Sequence, residues 1–495
     1  MMIKNYKEEF LTKYIKAKPF IISEEINSDL DTAISLYLKL KNISKYSFLL
    51  ESAEKDNNKG RYSAIGLLPD LIWECNKNII TIAKEGTNYI QENSTNDEIK
   101  DSLEKIQTES KIEEFSYLPA ISSGLFGYMN YDMVHYFENI PAHQKDELNI
   151  PEAKFIRPTI IIVIDNLKDK IMLSLPIYPN DLEGEKVFIQ KLALVDKIKK
   201  HLTNNIKINL QEQNTNNLNF SSNFSKTEYQ DIVVKAKSYI KSGDIFQVLP
   251  SRRFKAKFPH SGFALYRSLR TLNPSPFLFY LNFIDFEIIG SSPEIMVRVK
   301  DDIVTVRPLA GTRKRGNNAV EDQELAKDLL NDKKEVAEHL MLIDLGRNDV
   351  GRVAEKNSID VNKYMEIEYY SHVMHISSNI DGKIKAEKTC LDALIAGFPA
   401  GTVSGAPKIR AMEIIAEFES QKRSFYSGCI GYFSAHKKHM DMAIMLRTAL
   451  LKDKILYAQS GAGIVYDSKP EMEYEETENK AAVIFKAAEN AIKFT

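Results

Sequence analysis

Cysteine is scarce: Cys75, Cys390 and Cys429 are the only three in 495 residues, far apart and in no CxxC pair or metal-ligand spacing. That excludes a disulfide framework and a thiolate metal site, and it fits a reducing compartment. Net charge is scarce too, with 66 Lys and Arg against 68 Asp and Glu for a formal charge of -2. A phosphate backbone calls for a basic domain or stripe, so nucleic acid is excluded as a partner. Long apolar runs are missing: the longest, Ile160 to Ile164, is of strand length, whereas a membrane span needs about 20 residues. The N-terminal MMIKNYKEEFLTKYIK mixes both charges and holds no signal-peptide core. A cytoplasmic protein with no membrane segment is expected. No repeat of fixed period occurs.

What is present is ordinary globular composition, 43% hydrophobic and 27% charged, on a chain long enough for more than one folded region. Residues 201–226, HLTNNIKINLQEQNTNNLNFSSNFSK, are dense in Asn, Gln, Ser and Thr and read as a linker or long surface loop. The expected organisation is an N-terminal region over 1–200, the linker over 201–226 and a C-terminal region over 227–495. In the first region, 46–50 and 159–164 read as strands and 187–198 as a helix. The second opens with a helix over 227–242, where Tyr229, Ile232, Val233, Ala236 and Ile240 recur at helical spacing. Thr227 suits its cap and Gly243 its stop. Strands are expected at 246–249, 277–283, 287–290 and 303–306, and helices at about 320–345, 391–395, 406–418 and 475–492. The absence of regular βαβ alternation makes this an α+β fold with antiparallel sheet.

Two glycine motifs fall short of nucleotide signatures. Gly461-Ala-Gly463-Ile-Val-Tyr466 lacks a third glycine, and in Gly401-Thr-Val-Ser-Gly405-Ala-Pro-Lys408 the glycines are one residue too close for a P-loop. The second could still cradle an anion ahead of a helix, or simply be the turn that caps it. His372 and His375 lack the spacing and the glutamate of a zincin. The acidic pattern says more. Glu335 and Glu338 share a helix face, opposite an apolar stripe of Val336, Leu340 and Ile343, and Glu473 and Glu476 repeat the spacing. Magnesium takes one or two carboxylates and completes its shell with water and an anionic ligand, so the two pairs could meet across one ion. Solvated helix surface is the alternative for either pair. Arg447 ends an apolar strand, and four basic residues crowd Arg307-Pro-Leu-Ala-Gly311-Thr312-Arg-Lys-Arg-Gly316. Together they suggest a small substrate with several carboxylates, met by arginine, backbone amides and a metal.

The ordered blocks GDIFQVLPS, NPSPF, GSSPE, RPLAGTRKRG, EVAEHLMLIDLGRND, SHVMHI, FPAGTVSGAPK, SGCIGYF, QSGAGIV and EYEETENKA, over about 227–488, carry a family resemblance. The chain resembles the anthranilate synthase component I branch of the chorismate-utilising enzymes. That resemblance implies two facing antiparallel sheets with helices packed outside. It implies amination of chorismate at C2 by ammonia, then loss of pyruvate to give anthranilate, the first step of tryptophan biosynthesis. Glu338 and Glu476 would bind Mg²⁺, with Glu335 and Glu473 shaping its shell. Gly311, Thr312, Tyr426, Arg447 and Gly461, Ala462 and Gly463 would hold the substrate. The catalytic set would be His375 for pyruvate elimination, Glu294 for protonating the departing 4-hydroxyl, Thr402 and Gln247. Isochorismate and salicylate synthases place a lysine base where Gln247 stands, and aminodeoxychorismate synthases typically carry a nucleophilic lysine where Ala310 stands. Ammonia needs neither. Aminodeoxychorismate synthase stays open as a second reading, and a non-catalytic allosteric binding module as a third.

The resemblance further implies feedback inhibition by tryptophan, in a pocket of Leu50, Glu51, Ser52, Asn273, Pro274, Ser275, Pro276, Phe277 and Leu278. A core strand and a proline-stiffened turn are the alternative there, although a buried Glu51 and Ser52 would then need other polar partners. No cysteine has a glutaminase nucleophile's setting. A separate glutamine amidotransferase subunit, anthranilate synthase component II, is therefore the expected partner in a hetero-oligomer.

Overall fold

A computed structural model describes residues 6–27, 29–52, 60–84, 90–113, 118–143, 145–206, 218–370, 373–436 and 439–495. Every strand pairing in it is antiparallel, and 21 strands join in one hydrogen-bonded network. The core clusters show how that network folds back on itself. One cluster is built almost wholly from strands, with Phe48, Ala64, Phe126, Ile161, Phe279 and Ile288 meeting face to face. A second packs the other side of the strands on helices through Ile65, Ile162, Leu265 and Ile484, and a third does the same through Trp73, Phe155, Leu394 and Met412. Helices thus lie outside two facing sheets, the α+β arrangement expected.

Two long strands join the sheets. Tyr62–Asn76 pairs with Ala153–Asp165, and the register shifts between Pro69 and Leu71. Ile65 and Leu67, before the shift, face one helical layer; Leu71, Trp73 and Cys75, after it, face the other. A β-bulge bends and twists its strand, so one pair can serve both sheets. Strands from either side of the linker also pair, Ser47–Glu51 with Phe277–Asn282 and Gly124–Met129 with Cys429–Ser434. Of the expected linker, residues 207–217 lie outside the described residues. Its far end is anchored: Phe220 stacks on Phe485 at 4.0 Å, and Ser221–Ser222 pairs with the Ser251–Lys257 strand. No helix among the described residues is long and apolar enough to cross a membrane.

Three local expectations change. The helix expected from 227 is Lys226–Ser242, and Ser225, not Thr227, caps it, because a serine three residues before Glu228 closes a reciprocal capping box. Gly243 ends it with φ 85°, as expected. The long helix at 320–345 is two, Ala319–Asn331 and Lys333–Gly351, broken where the Asp332 carboxylate caps the amides of Lys334 and Glu335. The buried side of the second helix is His339, Leu342, Ile343, Gly346 and Val350, whereas Leu340 is exposed. His339 takes the place expected of an aliphatic residue by pairing with the Ser378 hydroxyl at 2.7 Å. This pins the helix that carries Glu335 and Glu338 to the strand that carries His375.

Candidate active site

The Leu309–Lys314 strand pairs with Val373–Lys383, and its register slips between Ala310 and Arg313, so that Gly311 and Thr312 bulge. Gly311 has φ 66°, a left-handed backbone natural to glycine, and a Cβ there would stand 3.1 Å from Glu335 Oε2. The bulge aims two groups at one ring nitrogen. His375 Nδ1 lies 2.8 Å from the Gly311 carbonyl and 3.1 Å from the Thr312 hydroxyl. A carbonyl only accepts, so Nδ1 carries the proton and Nε2 is left with its lone pair. Burial pushes His375 down to about 4, against the Gly311 carbonyl, which favours the charged ring. The imidazole is neutral near pH 7 and is a base.

Glu294 is shifted the other way. Its buried carboxyl is pushed up to about 8 by burial, opposed by the Leu309 amide at 3.3 Å, by Thr402 and by Arg307. The Thr402 hydroxyl is close enough to favour the charged form, yet its geometry falls short of a hydrogen bond and it has no other partner among the described residues. A protonated carboxyl and a neutral imidazole in one site divide into acid and base by environment alone.

Two cations, Arg447 and Lys480, stand close enough to act on His375. Arg447 adopts φ 47°, a left-handed backbone that costs about 1–3 kcal/mol outside glycine and is tolerated where a side chain must be aimed. Burial lowers its pKa, and among the described residues no carboxylate pairs with it. Lys480 Nζ donates to the Gly461 carbonyl at 3.1 Å and meets Glu476 at 2.7 Å. Protein surrounds Lys480, yet 49% of its side chain is exposed, as expected for a group lining an open cleft. Gln247 Nε2 donates to Glu338 at 2.8 Å, and its buried Oε1 has no hydrogen-bond partner among the described residues. A Cβ on Gly463 would come within 2.9 Å of that amide nitrogen, so the glycine makes room for it. Tyr426 is buried nearby and close enough to Lys480 to affect its charge. Unsatisfied acceptors and an unpaired arginine call for an anionic, hydrogen-bonding ligand.

A family model described as chorismate binding enzyme matches residues 45–486. The chain belongs to that family. Anthranilate synthase component 1 of Cereibacter sphaeroides is 47% identical over 474 residues, 95% of each chain. The Aquifex aeolicus protein of the same name is 43% identical over 474 residues, 94% of each. The crystal structure of anthranilate synthase component I from Streptococcus pneumoniae superposes with a TM-score of 0.75 at 35% identity, covering 93% of this chain and 98% of that one. The menaquinone-specific isochorismate synthase of Escherichia coli, at 19% identity and a TM-score of 0.71, shares the fold.

This chorismate-utilising enzyme brings its glutamates together in pairs, not as a cage. Among the described residues, no group of three or more metal-ligating side chains converges. Arg313 approaches Glu335 at 3.7 Å, and the Ser468 hydroxyl is close enough to Glu473 to favour its charged form. Burial and then Glu338 raise the pKa of Glu335; burial and Glu476 raise that of Glu473, against Ser468. Glu338 and Glu476 both act on Lys480, overcoming the burial that would lower its pKa. Both carboxylates thus act on one cation, and they are the residues that could hold Mg²⁺, which needs few protein ligands.

Lys408, which follows the glycine loop, is buried against Asp349 at 2.7 Å. The Ala462 amide donates to the Pro250 carbonyl at 3.3 Å. Lys480 went unnoticed in the sequence, although its place four residues after Glu476 on the Pro470–Asn490 helix is the spacing of an ion pair.

A separate cavity of about 490 Å³ is lined by Leu50, Glu51, Ser52, Pro276, Phe277 and Leu278, among others. Pro274 lines the neighbouring cleft instead. Asn273 and Ser275 turn away, bonded to each other at 3.2 Å, with Asn273 also held by Ser291 at 3.0 Å. Nor does Glu51 lack partners, since Tyr266 donates to it at 2.6 Å and Arg270 at 2.9 and 3.0 Å. These are the other polar partners that a structural reading of this strand requires for Glu51.

Proposed function

We propose that this enzyme catalyses the anthranilate synthase reaction: amination of chorismate at C2 by ammonia, with loss of the 4-hydroxyl, then pyruvate elimination to anthranilate. The opposed displacement of Glu294 and His375 carries the reading. Glu294 gives its proton to the departing hydroxyl, which leaves as water while ammonia bonds to C2. His375 Nε2 then takes the proton from the amine-bearing carbon, and the ring becomes aromatic as the ring–oxygen bond breaks; the departing enolpyruvate takes up one proton and leaves as pyruvate. Arg447 meets a substrate carboxylate, and Tyr426 and Gly463 close the cleft around the ring. Gln247, fixed by Glu338, presents its orphan Oε1 to the incoming ammonia. Magnesium bound by Glu338 and Glu476 would neutralise a substrate carboxylate among the glutamates. Ala310 is buried in its strand, and a methyl group cannot replace the lysine nucleophile of an aminodeoxychorismate synthase.

Ammonia supply gives one test. The isolated chain should form anthranilate from ammonium salts but not from glutamine, and an added glutaminase subunit should restore glutamine use. Glutamine-dependent synthesis by the single chain contradicts a two-subunit enzyme.

The 490 Å³ cavity supports feedback control by tryptophan, with Phe277, Leu278 and Leu50 toward the indole and Ser52 toward its polar end. Ser52 is pressed against Gly60, where a Cβ would lie 2.0 Å from its own, and it lines the cavity, so a larger side chain at 52 is expected to fill it. Ser52→Phe should remain active in tryptophan that inhibits the native enzyme by roughly 5- to 150-fold, the usual range of allosteric coupling. A native enzyme with its full rate in millimolar tryptophan makes this cavity structural only.

A further inference from the structure

Arg307, a charge near Glu294, lines three cavities: the one beside Glu294 and Thr402, the neighbouring cleft of about 750 Å³ and the proposed effector cavity. It follows the Ile303–Val306 strand, and its guanidinium pairs with Glu368. Glu368 is tied further, to the Ser377 hydroxyl at 2.7 Å and the Tyr370 hydroxyl at 3.1 Å. In register it stands opposite His375, and the Tyr370 ring lies edge-on to the imidazole at 5.4 Å. Two residues beyond Arg307, the Leu309 amide donates to Glu294. One guanidinium thus sits between the groups read as acid and base, on the backbone that holds the acid.

We propose that Arg307, paired with Glu368, is a positioning residue for the amination step: it fixes the backbone that donates to Glu294 and sets the charge this acid faces. The proposal rests on the reading of Glu294 as the acid. The other groups facing Glu294 are accounted for. Tyr370 is held neutral by burial. Asp349, across the small cavity on the Lys333–Gly351 helix, is balanced by Lys408 at 2.7 Å. The Arg307–Glu368 pair is left as the charged pair that acts on Glu294 against the burial that keeps its proton.

The test is the pH profile of amination at saturating Mg²⁺, with rates expressed per free ammonia so that ammonium's own titration drops out. Arg307→Gln removes a cation that favours the carboxylate, so the alkaline limb should move to higher pH by about one unit. Glu368→Gln leaves the guanidinium uncompensated and should move it to lower pH, while Arg307→Lys should keep it near the native position. A merely structural arginine gives slower variants with the limb unmoved. Should Arg307→Gln fail to fold, Glu368→Gln, which keeps size and hydrogen bonds, decides alone. Glu294→Gln separates the two claims. If it abolishes the limb and neither neutralising variant shifts it, the positioning role falls; if the limb survives in Glu294→Gln, the acid assignment falls and takes the positioning role with it.

Discussion

Glu338→Gln and Glu476→Gln should each lower turnover by on the order of 10³-fold, the scale on which one preorganised electrostatic contact acts in a closed site. Both variants should keep the native fold. Glu338 is half-buried and binds Gln247 through one oxygen, a contact glutamine can still make. Glu476 has 45% of its side chain exposed, so no core packing depends on its charge. What each variant loses is negative charge where the substrate's carboxylate must be bridged by a cation. Excess chelator should abolish native activity and added Mg²⁺ restore it. Native rates in either variant, or full activity in chelator, contradict the metal assignment.

His375→Met should split the reaction. Glu294, Arg447, Glu338 and Glu476 remain, so amination should proceed, while elimination slows by about 10²–10⁴-fold without its base. Aminodeoxyisochorismate should then accumulate and be visible by chromatography. The pH profile carries the same logic. Glu294, pushed up to about 8, must be protonated, so amination per free ammonia falls as pH rises through that value. His375, pushed down to about 4, stays a base across the neutral range. If the variant yields neither intermediate nor product, His375 serves the first step or the fold instead.

Much of this was legible in sequence, for a physical reason. Glu335, Glu338, Glu473 and Glu476 follow the helical period, which fixes which side chains share a face, and His375 and Gly311 sit in short contiguous motifs. The features that stayed hidden depend on what lies across space. Asp332 looked like one more polar residue in a long helical run until its carboxylate was seen capping the next helix. Leu340 falls in the apolar stripe by its spacing, yet it is exposed, and His339 is buried instead because a serine on a distant strand pairs with it. The polar partners of Glu51, Tyr266 and Arg270, could not be named from sequence because they lie more than 200 residues away. The Arg307–Glu368 pair joins two strands that no local pattern connects.

One measurement tests the proposed reaction most directly: incubation of the purified chain with chorismate, Mg²⁺ and an ammonium salt at alkaline pH, followed by anthranilate fluorescence and assay of pyruvate. The account predicts anthranilate and pyruvate in equal amounts, dependent on both Mg²⁺ and ammonia. Aminodeoxychorismate as the sole product, or chorismate recovered unchanged, would contradict it.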